Sequence, residues 1–213
     1  MRKMAILGGT FDPVHWGHLL MAEAAVTLMN LDRVIWIPDR YPPHKQAVGF
    51  EHRQLMVQQA IASNPAFVLS PVDTQRIAPA YAVETLLNLQ EIYPQIRWYW
   101  IIGLDAFKNL PRWYRHQDLA PACDWLVAPR ALPMTANQTK QEAIDSQVDT
   151  LCQQVAQKFA EQNVPIRWEV LPMPLVDISS SLIRRYCRDR FSIRYLVPEA
   201  VRIYIATHNL YAD

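Results

Sequence analysis

The chain has 213 residues, 51% of them apolar and 19% charged, with 21 Lys+Arg against 20 Asp+Glu for a formal net charge of +1. That length fits one domain with a core large enough to stand without a disulfide or metal staple. The charge balance argues against a protein that coats nucleic acid or an anionic membrane, and the apolar content argues against disorder. Three widely spaced cysteines, Cys123, Cys152 and Cys187, show no CxxC spacing and read as free thiols in a reducing, cytoplasmic setting. The apolar run Met4-Ala5-Ile6-Leu7 stops at Gly8, too short for a signal sequence, and no stretch reads as a membrane span.

In chain order, residues 3–7 read as a buried strand that enters a turn at Gly8-Gly9. Residues 16–30 read as a helix, with Glu23, Thr27 and Asn30 as its polar stripe and Leu20, Ala24 and Leu28 as its apolar one. A second strand at 34–37 is stopped by Pro38, and 38–50 reads as a loop. A helix (51–63), a strand (66–70), a helix (82–93) and a strand (97–102) follow, with further strands at 124–128 and 166–171. Residues 131–162, rich in Gln, Thr and Ala, read as an insertion whose second half, 141–161, is an exposed helix. Helices near 180–189 and 198–207 close the chain, with Pro198 in the first turn of the latter. Apolar strands alternating with helices predict a single α/β domain over 1–213, a doubly wound, mostly parallel sheet with a helical C-terminal part. Ligands of such sheets sit beyond the C-terminal strand ends where the strand order reverses. That singles out residues 8–18, 38–50 and 103–115.

The chain has only 5 glycines, where average usage of ~7% gives about 15. Three of them lie in the first candidate loop, Gly8-Gly9-Thr10-Phe11-Asp12-Pro13-Val14-His15-Trp16-Gly17-His18. This is neither a Walker loop nor a GxGxxG fingerprint. It offers close backbone approach at two glycines, then a helix N-terminus with His15 and His18 on one face, a set suited to a polyphosphate. Helix-cap or core histidines, and metal ligands, are the alternatives for that pair. A second stretch, Asp177-Ile178-Ser179-Ser180-Ser181-Leu182-Ile183-Arg184, opens a helix with hydroxyls and an arginine one turn in, either an anion site or a serine cap before a solvated arginine face. Gly103-Leu104-Asp105 follows an apolar strand, where a carboxylate suits a ribose or a helix cap. Trp113 beyond it can stack a ring or join the core.

With these elements in this order, the chain resembles the nucleotidyltransferase superfamily that shares an HxGH motif, here His15-Trp16-Gly17-His18, and an ISSTxxR-like motif, here Ile178 to Arg184. Within it the chain is most similar to the bacterial nicotinate mononucleotide adenylyltransferases, with support from Pro42-Pro43-His44-Lys45, Tyr81 to Leu86, Leu110-Pro111-Arg112-Trp113 and Ser192 to Pro198. The resemblance implies a Rossmann-like nucleotidyltransferase fold. It also implies joining of a pyridine mononucleotide to the AMP of ATP, with pyrophosphate released and Mg²⁺ carried with ATP rather than held by protein metal ligands. It assigns Gly8, Gly9, Thr10, Phe11, His15, His18, Gly103, Asp105, Ile178, Ser180, Ser181 and Arg184 to ATP, with His15, His18 and Arg184 catalytic. Lys45, Thr85, Trp113 and Arg130 fall to the mononucleotide. The chain departs from the family at Ala80-Tyr81-Ala82, where Ser-Tyr-Thr is frequent, and at Ser181, which replaces a threonine. The first departure leaves nicotinate, nicotinamide and dual specificity open. A non-catalytic nucleotide-binding protein of the same fold is the remaining alternative. Neither nucleic acid nor membrane is an expected partner.

Overall fold

Six parallel strands form one sheet in the order β3-β2-β1-β4-β5-β6: β1 (Arg2–Gly9), β2 (Arg33–Pro38), β3 (Phe67–Leu69), β4 (Ile96–Gly103), β5 (Asp124–Ala128) and β6 (Arg167–Val170). The structure is a computed structural model that describes residues 1–42, 47–70, 81–129 and 140–212. Side chains alternate across each strand and so supply two cores. Ala5, Leu7, Val34, Trp36, Tyr99 and Ile101 face one side, where α1 (Trp16–Met29), α2 (Phe50–Ile61), α7 (Ser180–Arg188) and α8 (Glu199–Thr207) pack. Met4, Ile6, Ile35, Trp98, Trp100 and Trp125 face the other. That side is covered by α3 (Ala82–Ile92), α4 (Leu104–Asn109), α5 (His116–Ala122) and α6 (Lys140–Ala160). Burial on both faces is why the strands read as continuous apolar runs.

Several local expectations change. Gly8 and Gly9 are not a turn: they are the last residues of β1, in register with Ile37 and Pro38 of β2, and neither has a positive φ. The chain turns instead at Phe11, with φ 50°. The buried stripe of α1 is Leu19, Ala22 and Ala25, not Leu20, Ala24 and Leu28, which are only partly buried. The apolar residues nearly encircle this helix, and only the polar stripe Glu23, Thr27 and Asn30 discriminates between registers. The segment 103–115, expected as a loop, forms α4 and a 3-10 turn at Leu110–Arg112, and α5 follows unforeseen. Pro198 caps α8 from outside its first turn. The helix expected to lie exposed at 141–161 is α6, and it buries Val148, Cys152, Val155 and Phe159 while carrying the chain from β5 to β6. A parallel pair needs such a crossover.

Far from the ligand-binding end, Asp124 at the start of β5 is nearly buried and accepts hydrogen bonds from Arg97 Nε (2.8 Å) and Arg167 Nε, one at the start of each flanking strand. These charge-assisted bonds tie three strand ends together. Asp124→Ala is expected to lower the unfolding free energy by about 1–3 kcal/mol. In urea titration this appears as a lower midpoint with an unchanged slope, and an unmoved midpoint shows the two pairs to be energetically idle.

Candidate active site

The strand order reverses between β1 and β4, so a crevice opens past Gly9 and Gly103 at the sheet's C-terminal end. The loop from Thr10 to His15 lies there, and three of its carbonyls accept from side chains far away in sequence. Arg53 Nη1 of α2 donates to the Thr10 carbonyl (2.7 Å), Arg184 Nη1 of α7 to the Asp12 carbonyl (2.8 Å) and Ser180 Oγ of α7 to the Pro13 carbonyl (2.9 Å). A trans peptide points its C=O and N–H in opposite directions, so the Phe11 N–H faces away from Arg53. The Phe11 ring is buried between His18 (centroids 5.0 Å apart) and Trp36 (5.4 Å). A Cβ on Gly9 would lie 3.4 Å from that ring.

Arg53 is 1% exposed and also donates to the carbonyls of Val48 (3.0 Å) and Arg40 (3.5 Å), which binds the first loop to the segment after β2. Burial draws its guanidinium below the ordinary value, and the carboxylates of Asp12 and Asp39 oppose that. Asp12, 4% exposed, is the loop's second anchor. Its Oδ1 accepts from the Tyr211 hydroxyl (2.8 Å) and the Val48 N–H (3.3 Å), and its Oδ2 lies 3.4 Å from Arg184 Nη1. Burial first, and the Asp12 charge second, raise the Tyr211 hydroxyl's pKa, so it stays a donor.

His15 caps the N-terminus of α1 and His18 lies one turn inside, with ring centroids 3.8 Å apart. The His15 N–H donates to His18 Nδ1 (3.3 Å). A backbone N–H can only donate, so the neutral His18 ring carries its proton on Nε2. The His15 ring is 7% exposed, and its Nδ1 has no hydrogen-bond partner among the described residues. A Cβ on Gly17 would lie 3.0 Å from that ring, so a side chain there would press on a buried imidazole. The same Cβ would lie 3.7 Å from the Ile178 carbonyl, which shows how closely the two motifs approach. Burial lowers the His15 pKa to about 4, and burial together with His15 holds His18 well below its ordinary value.

Of the residues expected to meet ATP, Gly9, Thr10, Phe11, His15 and His18 gather with Ile178, Ser180, Ser181 and Arg184 around the start of α1, while Gly8 lies within β1 and faces Trp100. Ser179 caps α7, accepting from the Leu182 N–H (3.2 Å). Ser181 Oγ accepts from Arg184 Nη2 (3.3 Å). Gly103 precedes the first turn of α4 beside the end of β1, with Asp105 exposed in that turn. Trp113 packs edge-on against Trp100 (6.4 Å), and a Cβ on Gly8 would lie 3.9 Å from Trp100 Cζ2. The tryptophan cluster therefore borders the end of β1 on the sheet's other side. Thr85 is buried on α3. Lys45, Arg130 and Ala80 lie outside the described residues. Arg53 and Tyr211 were not foreseen: one is an arginine within an ordinary amphipathic helix, the other a lone tyrosine, and no local spacing marks either.

Two helix starts, two neutral imidazoles, hydroxyls and a guanidinium around the switch point of a doubly wound sheet define a nucleotide-binding α/β protein. Residues 6–186 match the model of the cytidylyltransferase-like family. Over the full chain there is 51% identity to a Trichormus variabilis protein named "Probable nicotinate-nucleotide adenylyltransferase", covering 99% of that relative, and 43% identity to a Synechococcus sp. (strain JA-3-3Ab) protein of the same name, covering 96%. The chain belongs to the cytidylyltransferase-like family, as a full-length relative of proteins named nicotinate-nucleotide adenylyltransferase. The Plasmodium falciparum nicotinic acid mononucleotide adenylyltransferase solved in complex with NaAD shares the fold, at a TM-score of 0.73 and 18% identity, over 99% of this chain and 98% of that one. No helix among the described residues is long and apolar enough to cross a membrane.

The depressed imidazole has a consequence for stability. The folded His15 pKa of about 4 lies below its unfolded value of ~6.5. The unfolded chain therefore binds more protons between those values, and stability falls as pH falls through that window. The expected loss is roughly 3 kcal/mol from His15, with His18 acting in the same direction. Urea midpoints measured from pH 7 to pH 4 should show this slope, and His15→Asn should flatten it. An equal slope in the variant would show that the ring is not held neutral by burial.

Proposed function

We propose that the protein is a nicotinate mononucleotide adenylyltransferase, which joins the mononucleotide to the AMP of ATP and gives deamido-NAD and pyrophosphate. The names of the full-length relatives support that substrate pair. The observation that carries the chemistry is the meeting of the His15–His18 pair with Ser180, Ser181 and Arg184 at one crevice.

The mononucleotide phosphate is already an oxyanion, so attack on the α-phosphorus needs no general base. It attacks in line, a P–O bond forms to the α-phosphorus, and the bond to the β-phosphate oxygen breaks to release pyrophosphate. Catalysis is then positioning and stabilisation of spread negative charge. The Nε2–H of His18 and the Arg184 guanidinium then donate to phosphate oxygens, and α1 adds the partial positive charge of its first turn. Asp105 and Gly103 fit the adenosine side, while Trp113 and Thr85 fit the pyridine side together with Lys45 and Arg130. Among the described residues no three His, Cys, Asp or Glu side chains group closely enough to hold a metal ion. The family generally uses a divalent metal with ATP. Imidazole, hydroxyl and guanidinium donors suit a triphosphate that brings its own Mg²⁺, whose bound charge neutralises phosphate oxygens. The three free thiols fit a cytoplasmic setting.

Pyrophosphate release from ATP and Mg²⁺ with nicotinate mononucleotide, run beside nicotinamide mononucleotide, tests the assignment. Preference for the nicotinate form is expected. Equal use would shift the assignment to dual specificity, and no release with either would leave a nucleotide-binding protein of this fold. In the same assay His18→Ala is expected to fold normally and to lose on the order of a hundred- to a thousandfold in kcat. Turnover near that of the unsubstituted protein would remove His18 from the mechanism.

A further inference from the structure

The segment after α8 turns back onto the site. Asn209 (φ 48°) and Tyr211 (φ 62°) are both left-handed, and the Leu210 N–H closes on the Ile205 carbonyl at 3.0 Å. Left-handed backbone at a bulky aromatic residue is unfavourable and persists only where surrounding contacts hold it. Here it delivers the Tyr211 hydroxyl to Asp12 Oδ1 across 199 residues of sequence. Asp12 is also the nearest carboxylate to Arg184, at 3.4 Å through its other oxygen. A carboxylate so placed competes with any anion for that guanidinium. Two bonds act on the competition: the Tyr211 hydroxyl and the Val48 N–H both occupy Oδ1, which leaves only Oδ2 to face Arg184, at 3.4 Å. Arg184 is then held by two neutral acceptors, the Asp12 carbonyl and the Ser181 hydroxyl, and by a single carboxylate oxygen at 3.4 Å, with further N–H donors left over from its five.

We propose that Tyr211 is a positioning residue for triphosphate binding, its hydroxyl holding the Asp12 carboxylate in the orientation that leaves the Arg184 guanidinium available to an anion. This rests on the reading of the site as an ATP site. Without the hydroxyl, Asp12 is released to pair with Arg184 through both oxygens, a strong bidentate arrangement that ATP must then displace.

The test is Tyr211→Phe, which keeps the ring and its packing, with Kd for ATP·Mg²⁺ measured by calorimetry apart from turnover. ATP binding is expected to weaken about tenfold, with the KM for nicotinate mononucleotide and the thermal midpoint little changed. In the Asp12→Asn background, where the competing charge is gone, the same tyrosine substitution should leave ATP affinity unmoved. Unchanged ATP affinity in Tyr211→Phe overturns the role, as does an equal loss for both substrates or an undiminished effect in the Asp12→Asn background. If the unsubstituted protein binds no ATP, the reading of the site fails and this role fails with it. If it binds ATP but the variant behaves identically, only the role of Tyr211 fails.

Discussion

The loop between β1 and α1 must present backbone and imidazole donors to a ligand while its own carbonyls are held away from water. Arg53, Arg184 and Ser180 solve this together by taking the carbonyls of Thr10, Asp12 and Pro13 at 2.7, 2.8 and 2.9 Å. A buried carbonyl without a donor costs free energy of the same order as a lost hydrogen bond, so each bond is a condition for the loop's shape. Two of the three donors come from α7, and this is what brings the serine-arginine motif to the histidine motif. The crevice exists because of the sheet's topology, but its chemistry depends on these three side-chain-to-carbonyl bonds.

That dependence explains what sequence reading could and could not reach. His15, Gly17 and His18 were legible because their roles follow from helical spacing: a cap, a position that a buried ring leaves no room to fill, and a ring one turn in. The strands were legible because both faces are buried. Arg53, by contrast, sits in a helix that exposes Glu51 and holds His52 partly buried, and nothing local distinguishes a guanidinium aimed at Thr10, 43 residues earlier, from one in solvent. Tyr211 and Asp12 meet across 199 residues. The glycines misled for a related reason. Gly8 and Gly9 look like a turn, but β1 continues through them without a left-handed backbone, and a Cβ at either would meet Trp100 or Phe11 only at ordinary contact distance. A low-propensity residue, Phe11, makes the actual turn, held by its ring's contacts with His18 and Trp36. In α6 the polar composition hid a periodic apolar face that the crossover from β5 to β6 requires.

The electrostatics of the site share one feature. Its donors are either neutral, as His15 and His18 are, or already engaged within the protein, as Arg184 is with the Asp12 carbonyl, the Ser181 hydroxyl and the Asp12 carboxylate. Two imidazoles whose centroids lie 3.8 Å apart in a buried setting resist both becoming cationic without an anion beside them. An anion placed at the start of α1 favours the protonated form of each ring, so their pKa values rise together on binding. By linkage, the positive potential of the site then grows with the charge of what occupies it. On the proposed reading of the site, a triphosphate meets a stronger field than a monophosphate does. Departure of pyrophosphate removes most of the charge that sustained the field, and the imidazoles return toward neutrality. On the proposed reaction, preference for the more highly charged reactant follows from the same burial that depresses these two pKa values.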